Sequence, residues 1–413
     1  MSGLRAALNQ RVGIEDYLAW STVVSAFLFI PIRPSVLLGY LVIIANCLIL
    51  LTLDRLSIHR NHLIAILTIT GFSLIGAHFA GTAISAIIVQ SLGITVTSVY
   101  YFSALTNFGI SLSRWMEMYV RMAFLLAILG IIGWVIARIL HVGDGRLVAI
   151  YSEPSYYIFL TLPAVGYCIN RYVGERQYGW EVLIFLLTYA LADSSLGFLG
   201  LLLIGLFTFA PRLRGWQILL AGFVVCALLG ALYIGSANFR IRAADTVMAI
   251  AKQDVGGTNA STFALLSNIY VTSQSFRAHP LTGIGIGGYA NAYDKYIDDL
   301  AGPRLTPLVY TGLNRDDANS MVLRVAAELG APGLLLLFSF LIVCARVRGT
   351  PYIATRNAIL PYLIVRTSRM GAYFTVELYF FVGLYVLNYL NSRAAHRPDE
   401  ARDAAGPSQT ART

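Results

Sequence analysis

Apolar residues fall along this chain in long blocks broken by short polar runs, at 17–33, 35–53, 63–80, 81–102, 117–140, 156–170, 181–193, 195–210, 216–235, 320–343, 357–368 and 371–390. Most approach the ~20 residues that an α-helix needs to cross a bilayer. Backbone N–H and C=O groups find no water in hydrocarbon, so each block is expected to be helical or shielded by its neighbours. The pattern predicts an all-α integral membrane protein with about 12 transmembrane helices, the blocks at 181–193 and 357–368 being the shortest.

Basic residues set the orientation. Arg55 and Arg60, Arg171 and Arg176, Arg212 and Arg214, and Arg346, Arg348 and Arg356 share one face, with Arg5, Arg11, Arg393 and Arg397 in tails on the same side. An excess of Lys and Arg in short loops marks the cytoplasmic face. Residues 1–16 then form a cytoplasmic tail and 17–235 carry transmembrane helices one to nine. Residues 236–318 form a helical loop region outside the cytoplasm, 319–390 carry helices ten to twelve, and 391–413 are a disordered cytoplasmic tail. The connection 141–155 and the turn bearing Arg366 and Arg369 also fall outside. No cleavable signal peptide is visible, so the first span is expected to stay.

Composition agrees with this layout. The chain is 57% hydrophobic and 12% charged, with a mean hydropathy of +0.68, which excludes an ordinary water-soluble domain. The net charge of +9 is scattered over membrane edges instead of gathered with aromatics, so no nucleic acid is expected as a partner. Cys47, Cys168, Cys226 and Cys344 lie in apolar segments without ligand spacing, so neither a disulfide framework nor a metal site is expected. Lys252 and Lys295 are the only lysines among 30 basic residues. Genomic base composition explains such a bias, and arginine also suits bidentate phosphate recognition.

Four stretches carry candidate chemistry. In "RAHPLTGIGIGGY" (277–289), Arg277, His279 and Pro280 precede Gly283, Gly285, Gly287 and Gly288. A dinucleotide fingerprint requires a strand before the glycines and a helix after them. Here the preceding "STFALLSNIYVTSQSFRA" reads as an amphipathic helix instead. The spacing leaves open a plain turn or a nest of backbone N–H groups that binds an anion.

In "NRDDANSMVLRVAAELGAPGLLLLF" (314–338), a helix starting near Asp316 or Asp317 would place Asp317, Ser320, Met321, Arg324 and Glu328 on one face, with Gly330 and Gly333 opposite for close approach of a neighbour. Ionisable residues entering a membrane pair with one another or mark a functional site. "GRLVAIYSEPSYYIFL" (145–160) offers Arg146 and Glu153, the latter also a plain helix start. "VRTSRMGAYFTVELYFF" (365–381) offers Arg366 and Arg369, which also suit snorkelling to headgroups.

Together "HPLTGIGIGGY", "NRDDANSMVLRVAAELGAPG", "YSEPSYY" and "RMGAYFTVELYFF", with the hydropathy layout over 17–390, resemble the O-antigen ligase and polymerase superfamily of bacterial envelope enzymes. Within it the chain looks like a Wzy-type exopolysaccharide or O-antigen polymerase. Ligases of this superfamily typically carry a histidine where Asn319 stands here, followed by Ser320. The run Asn314, Asp317, Ser320, Arg324, Glu328 looks more like polymerases. The resemblance implies a bacterial inner membrane location with a periplasmic active site. It also implies polyprenyl-pyrophosphate-linked oligosaccharide substrates, and as further partners a chain-length regulator and a flippase.

Such a glycosyltransferase moves a glycan from a lipid pyrophosphate to a sugar hydroxyl, with no cofactor. Arginines stabilise the departing diphosphate, and two charge-assisted hydrogen bonds of ~1.5–3 kcal/mol that strengthen only in the transition state give on the order of 10²–10⁴ in rate. The expected diphosphate ligands are Arg146, Arg277, Arg324, Arg366 and Arg369. Asp317, Glu153 and His279 are the candidates for orienting or deprotonating the acceptor. Asn314, Asn319, Ser320, Glu328, Gly283, Gly285 and Tyr289 are expected to support them: Glu328 fixes Arg324, and Tyr289, Tyr293 and Tyr296 either stack on sugar rings or pack. Arg324→Ala is expected to abolish polymer at unchanged protein level. The alternatives are a ligase acting on a lipid A core or protein acceptor and, in another class, a lipid-linked oligosaccharide flippase, although no internal repeat of the transporter kind is visible.

Overall fold

The computed structural model describes residues 2–33, 36–142, 145–217, 259–301 and 310–404, with scattered positions between 218 and 258. The predicted ninth span and much of the loop region that follows it lie outside the described residues. The chain begins with α1 (Ser2–Phe27), a two-stranded hairpin of β1 (Pro31–Arg33) and β2 (Val36–Leu37), and α2 (Leu38–Thr52). It continues through α3 (Arg60–Ala80), α4 (Ile84–Asn107), α5 (Leu112–Ile139), α6 (Pro154–Glu175), α7 (Gly179–Ala192) and α8 (Ser195–Phe209). After the undescribed stretch come α9 (Ala260–Ala278), α10 (Tyr289–Ala301), α11 (Met321–Cys344), α12 (Thr350–Arg369) and α13 (Leu378–Ala404).

Three sequence expectations change here. The N-terminal tail is part of α1. The C-terminal tail, expected to be disordered, continues α13 as far as Ala404. Ser392 fastens that extension, its hydroxyl donating to Arg348 O and accepting from Arg348 N. The predicted span 371–390 opens instead with an irregular turn, 370–377, before α13 begins.

Among the described residues, five helices are long and apolar enough to cross a membrane: 60–80, 84–107, 112–139, 195–212 and 321–344, with shorter apolar helices at 38–52 and 179–192. The protein is therefore a multi-pass membrane protein by length and composition, and twelve crossings are not shown. Lipid demands an apolar surface, whereas a helix buried among other helices needs only satisfied polar groups. Leu41, Ile44, Leu48 and Leu51 on α2 and Leu63, Leu67 and Ile75 on α3 are exposed, a surface suited to lipid. By contrast α6 and α12 pack against each other and bury most of their residues. Their junction is polar: Asn357 Nδ2 donates to Asn170 Oδ1 at 2.9 Å, and Asn170 Nδ2 donates to Thr208 Oγ1 at 2.9 Å. A small second core of Phe263, Val271, Ile284, Tyr289, Tyr293 and Ile297 joins α9 and α10 to the glycine loop.

Helix α11 is broken in the middle. Pro332 has no N–H for the carbonyl of Glu328, and Gly330 adopts φ 62°, ψ −157°, a region open essentially to glycine alone. The glycine loop repairs the break. Ile284 N donates to Ala327 O at 3.1 Å, Gly285 N to Glu328 O at 2.9 Å, and Ala331 N to Pro280 O at 2.8 Å. What approaches α11 at Gly330 is thus a loop backbone, where the sequence suggested a helix, while Gly333 meets only Leu329 and Val325 of α11 itself. A Cβ on Gly330 would lie 2.5 Å from Pro280 O. Gly330→Ala therefore combines a forbidden backbone with a backbone collision and is expected to cost at least about 3 kcal/mol. Thermal unfolding of the purified protein in nanodiscs, against wild type, checks this.

Candidate functional site

Six N–H groups of the glycine loop are taken up within the protein. Gly283 N donates to His279 O and Gly288 N to Gly285 O, and Ile284 and Gly285 serve the break in α11. Two more, Gly287 N at 3.0 Å and Tyr289 N at 3.1 Å, converge on Glu328 Oε1. The nest exists, and the protein's own carboxylate fills it.

The same Glu328 oxygen accepts from Arg324 Nε at 3.1 Å. Both side chains are buried, Arg324 at 4% exposure and Glu328 at 0%. Arg324 also donates through Nη1 to Gly371 O at 3.2 Å and lies 4.5 Å from the centre of the Tyr373 ring. A buried guanidinium requires this combination of counter-charge, carbonyl and aromatic face.

A second buried pair lies alongside. Arg366, at 0% exposure, donates through Nε to Glu377 Oε1 at 3.1 Å, through Nη1 to Met370 O, and through Nη2 to Ala372 O at 2.9 Å and Thr375 Oγ1 at 2.8 Å. The two arginines thus hold three successive carbonyls, 370, 371 and 372. Tyr40 donates to Phe374 O at 2.7 Å and Tyr101 donates to Val376 O. Non-helical backbone enclosed in a membrane protein must have its carbonyls satisfied by side chains, and the 370–377 turn is fastened in this way.

Asp317 leans on that turn. Gly371 packs directly against the Asp317 carbonyl, leaving no space for a Cβ, and Ser320 Oγ donates to Thr367 O at 3.0 Å. The predicted helix through 316–320 is absent; α11 starts at Met321 with Ser320 as its N-cap, accepting from Leu323 N. Asn314, Ala318 and Asn319 have φ of 56°, 59° and 56°, left-handed values incompatible with a helix. Asp317 Oδ1 stabilises the turn by accepting from Asn314 Nδ2 at 3.0 Å and Asn319 N at 3.1 Å. One carboxylate oxygen is spent on position. Asp317 is half-exposed, and the Gly371 against which it packs accepts from the buried Arg324.

The other expected residues are more dispersed. Glu153 is exposed at the N-cap of α6, accepting from Ser155 Oγ at 2.9 Å. Arg146 is half-buried before it, and Arg369 is half-buried in the last turn of α12. Arg277 is exposed in the last turn of α9, and His279 caps that helix at the start of the loop. Gly283 and Gly285 act in the repair of α11.

One assignment needs correction, and for two tyrosines the packing alternative holds. Arg366 has protein acceptors for all three nitrogens, so the structure uses it to hold the turn. Tyr289 and Tyr293 are enclosed in the second core and cannot stack on a sugar; Tyr289 donates to Asn268 Oδ1 at 2.9 Å, and Tyr293 Oη accepts from Gly312 N at 3.1 Å. Tyr296 remains half-buried with Lys295 Nζ 4.9 Å from its ring centre. Outside the membrane-spanning segments, Arg315 clamps Asp294 of α10 by a hydrogen-bonded ion pair, which holds that carboxyl below its ordinary value.

Sequence reasoning missed Glu377, Tyr373 and Gly371. The signal for Glu377 was present: a lone acid inside a membrane-embedded block requires a buried cation, and Arg366 stands eleven residues earlier.

Residues 181–338 match the O-antigen ligase family model. The match spans α7 and α8, the glycine loop, the 314–320 turn and the Arg324–Glu328 pair, and stops short of 365–381. It supports the O-antigen ligase and polymerase superfamily, hence a glycosyltransferase-like membrane enzyme that meets lipid-linked oligosaccharides and the bilayer, and does not separate polymerase from ligase. No curated protein and no solved structure matches the chain.

Proposed function

We propose that this protein polymerises polyprenyl-pyrophosphate-linked oligosaccharide repeat units into exopolysaccharide or O-antigen at the periplasmic face of a bacterial inner membrane. The observation that carries the reading is a half-exposed carboxylate, Asp317, held through one oxygen and packed on Gly371, whose carbonyl accepts from the buried Arg324 of a broken helix. Asp317, with one oxygen spent on position, uses the other to orient or deprotonate the acceptor hydroxyl. Glu153 and His279 are the further candidates for that role.

The positive field of Arg324 and direct contacts from Arg146, Arg277 and Arg369 stabilise the departing diphosphate. Arg366 supports the reaction by holding the 370–377 turn. Asn314, Asn319 and Ser320 build the bend that aims Asp317. The chain-length regulator and flippase remain the expected partners.

The ligase reading has one specific observation in its favour, the match of residues 181–338 to an O-antigen ligase family. Against it stands Asn319 where ligases carry a histidine. Deletion of the gene followed by glycan electrophoresis separates these readings. Single repeat units on lipid or core, with long polymer lost, are the expected outcome. Full-length polymer retained on its polyprenyl carrier indicates a ligase, and repeat units trapped on the cytoplasmic leaflet indicate a flippase.

A further inference from the structure

Of the α10 tyrosines, Tyr289 and Tyr293 pack and Tyr296 lies beside Lys295, so α10 offers a glycan little aromatic surface. Another pair is available. Phe29, just beyond α1, and Tyr156, in the first turn of α6, stack with ring centres 4.7 Å apart and planes tilted by 33°, both half-buried. The Tyr156 hydroxyl has no hydrogen-bond partner among the described residues.

The pair also borders the fastened turn. Gly39 packs against both Leu28 O, next to Phe29, and the Val376 side chain, while Asp317 packs on Gly371 at the other end of the same turn. Two aromatic rings, an unpartnered phenol and the exposed Glu153 therefore lie together at the start of α6, with the turn that seats Asp317 alongside.

We propose that Phe29 and Tyr156 form a saccharide-binding subsite that takes a pyranose of the acceptor glycan. The polarised C–H face of a sugar ring is attracted to the negative face of an aromatic quadrupole. Its hydroxyls donate to the carboxylates of Glu153 and Asp317 and accept from the Tyr156 hydroxyl. A few polar groups around an apolar surface give orientation as well as affinity. The assignment of the sugar to an acceptor rests on the glycosyltransferase reading; binding of a neutral pyranose does not.

The test is saturation-transfer NMR on the full chain in nanodiscs. The probe is the oligosaccharide mixture released by mild acid from the lipid-linked pool of the parent strain. Wild type and Tyr156→Phe, which keeps the ring, are expected to transfer saturation to sugar C–H protons. Phe29→Leu and Tyr156→Ala are expected to weaken binding by about fivefold each, the effect of losing one aromatic face. Phe29→Leu keeps the apolar volume, so its loss of binding at an unchanged thermal midpoint separates recognition from folding. No transfer with wild type, or equal transfer with Phe29→Leu, overturns the subsite and leaves the two rings as interfacial anchors. Transfer that depends on Phe29, together with normal glycan after gene deletion, keeps the subsite and removes the polymerase reading.

Discussion

Arg324→Ala is expected to abolish polymer and also to destabilise the protein by about 3–5 kcal/mol, because it leaves the Glu328 carboxylate buried without its cation. The sequence suggested a variant with unchanged protein level; the 0% exposure of Glu328 revises that. The change further strips a donor from Gly371 O and removes the cation from the Tyr373 ring. The informative comparison is with Arg324→Met/Glu328→Gln, in which no charge is left buried and the glutamine oxygen still accepts from Gly287 N and Tyr289 N. The double variant is expected to recover most of the lost thermal stability and none of the polymer. Polymer at the wild-type level in the double variant removes Arg324 from the reaction, and equal melting of single and double variants removes the burial argument.

Gly371→Ala is the second large expected effect. No other side chain fits against the Asp317 carbonyl, and the turn that carries Gly371 cannot retreat, because side chains hold the carbonyls of Met370, Gly371, Ala372, Phe374 and Val376. The Asp317 bend must move instead. Overpacking of this kind costs about 1–3 kcal/mol, while a carboxylate displaced by 1 Å costs on the order of 10²-fold in rate. Polymer should therefore fall far more than the thermal midpoint does. Polymer synthesis by Gly371→Ala within a few-fold of wild type would show that Asp317 is not placed by this turn, or is not needed.

How much of this was legible in the sequence varies by element. The helix read at 261–278 matches α9, but its buried side is largely polar, with Thr262, Ser267, Asn268, Thr272 and Ser275 beside Phe263, Ala264 and Val271, so an apolar stripe did not mark it. The Arg324–Glu328 pair was legible as well, since i, i+4 neighbours on a helix meet whatever surrounds them. The helix predicted through Asp317 was not real; left-handed residues at 314, 318 and 319 interrupt it, and spacing alone does not record φ. The glycine loop was legible as tightly folded, with a plain turn and an anion nest both left open; spacing could not decide, because the carboxylate that two of its N–H groups hold comes from 39 residues or more along the chain.

By itself the sequence determined that this is a helical membrane protein, with charge concentrated at the ends of its helices and acids spaced to meet arginines. Lipid forces that pattern residue by residue. The tertiary structure decided which arginine faces which carbonyl, that Arg366 answers Glu377, and that Asp317 stands on Gly371 and not on a helix face. Those choices follow from buried backbone groups finding donors across long stretches of chain, a requirement met only once the helices have packed.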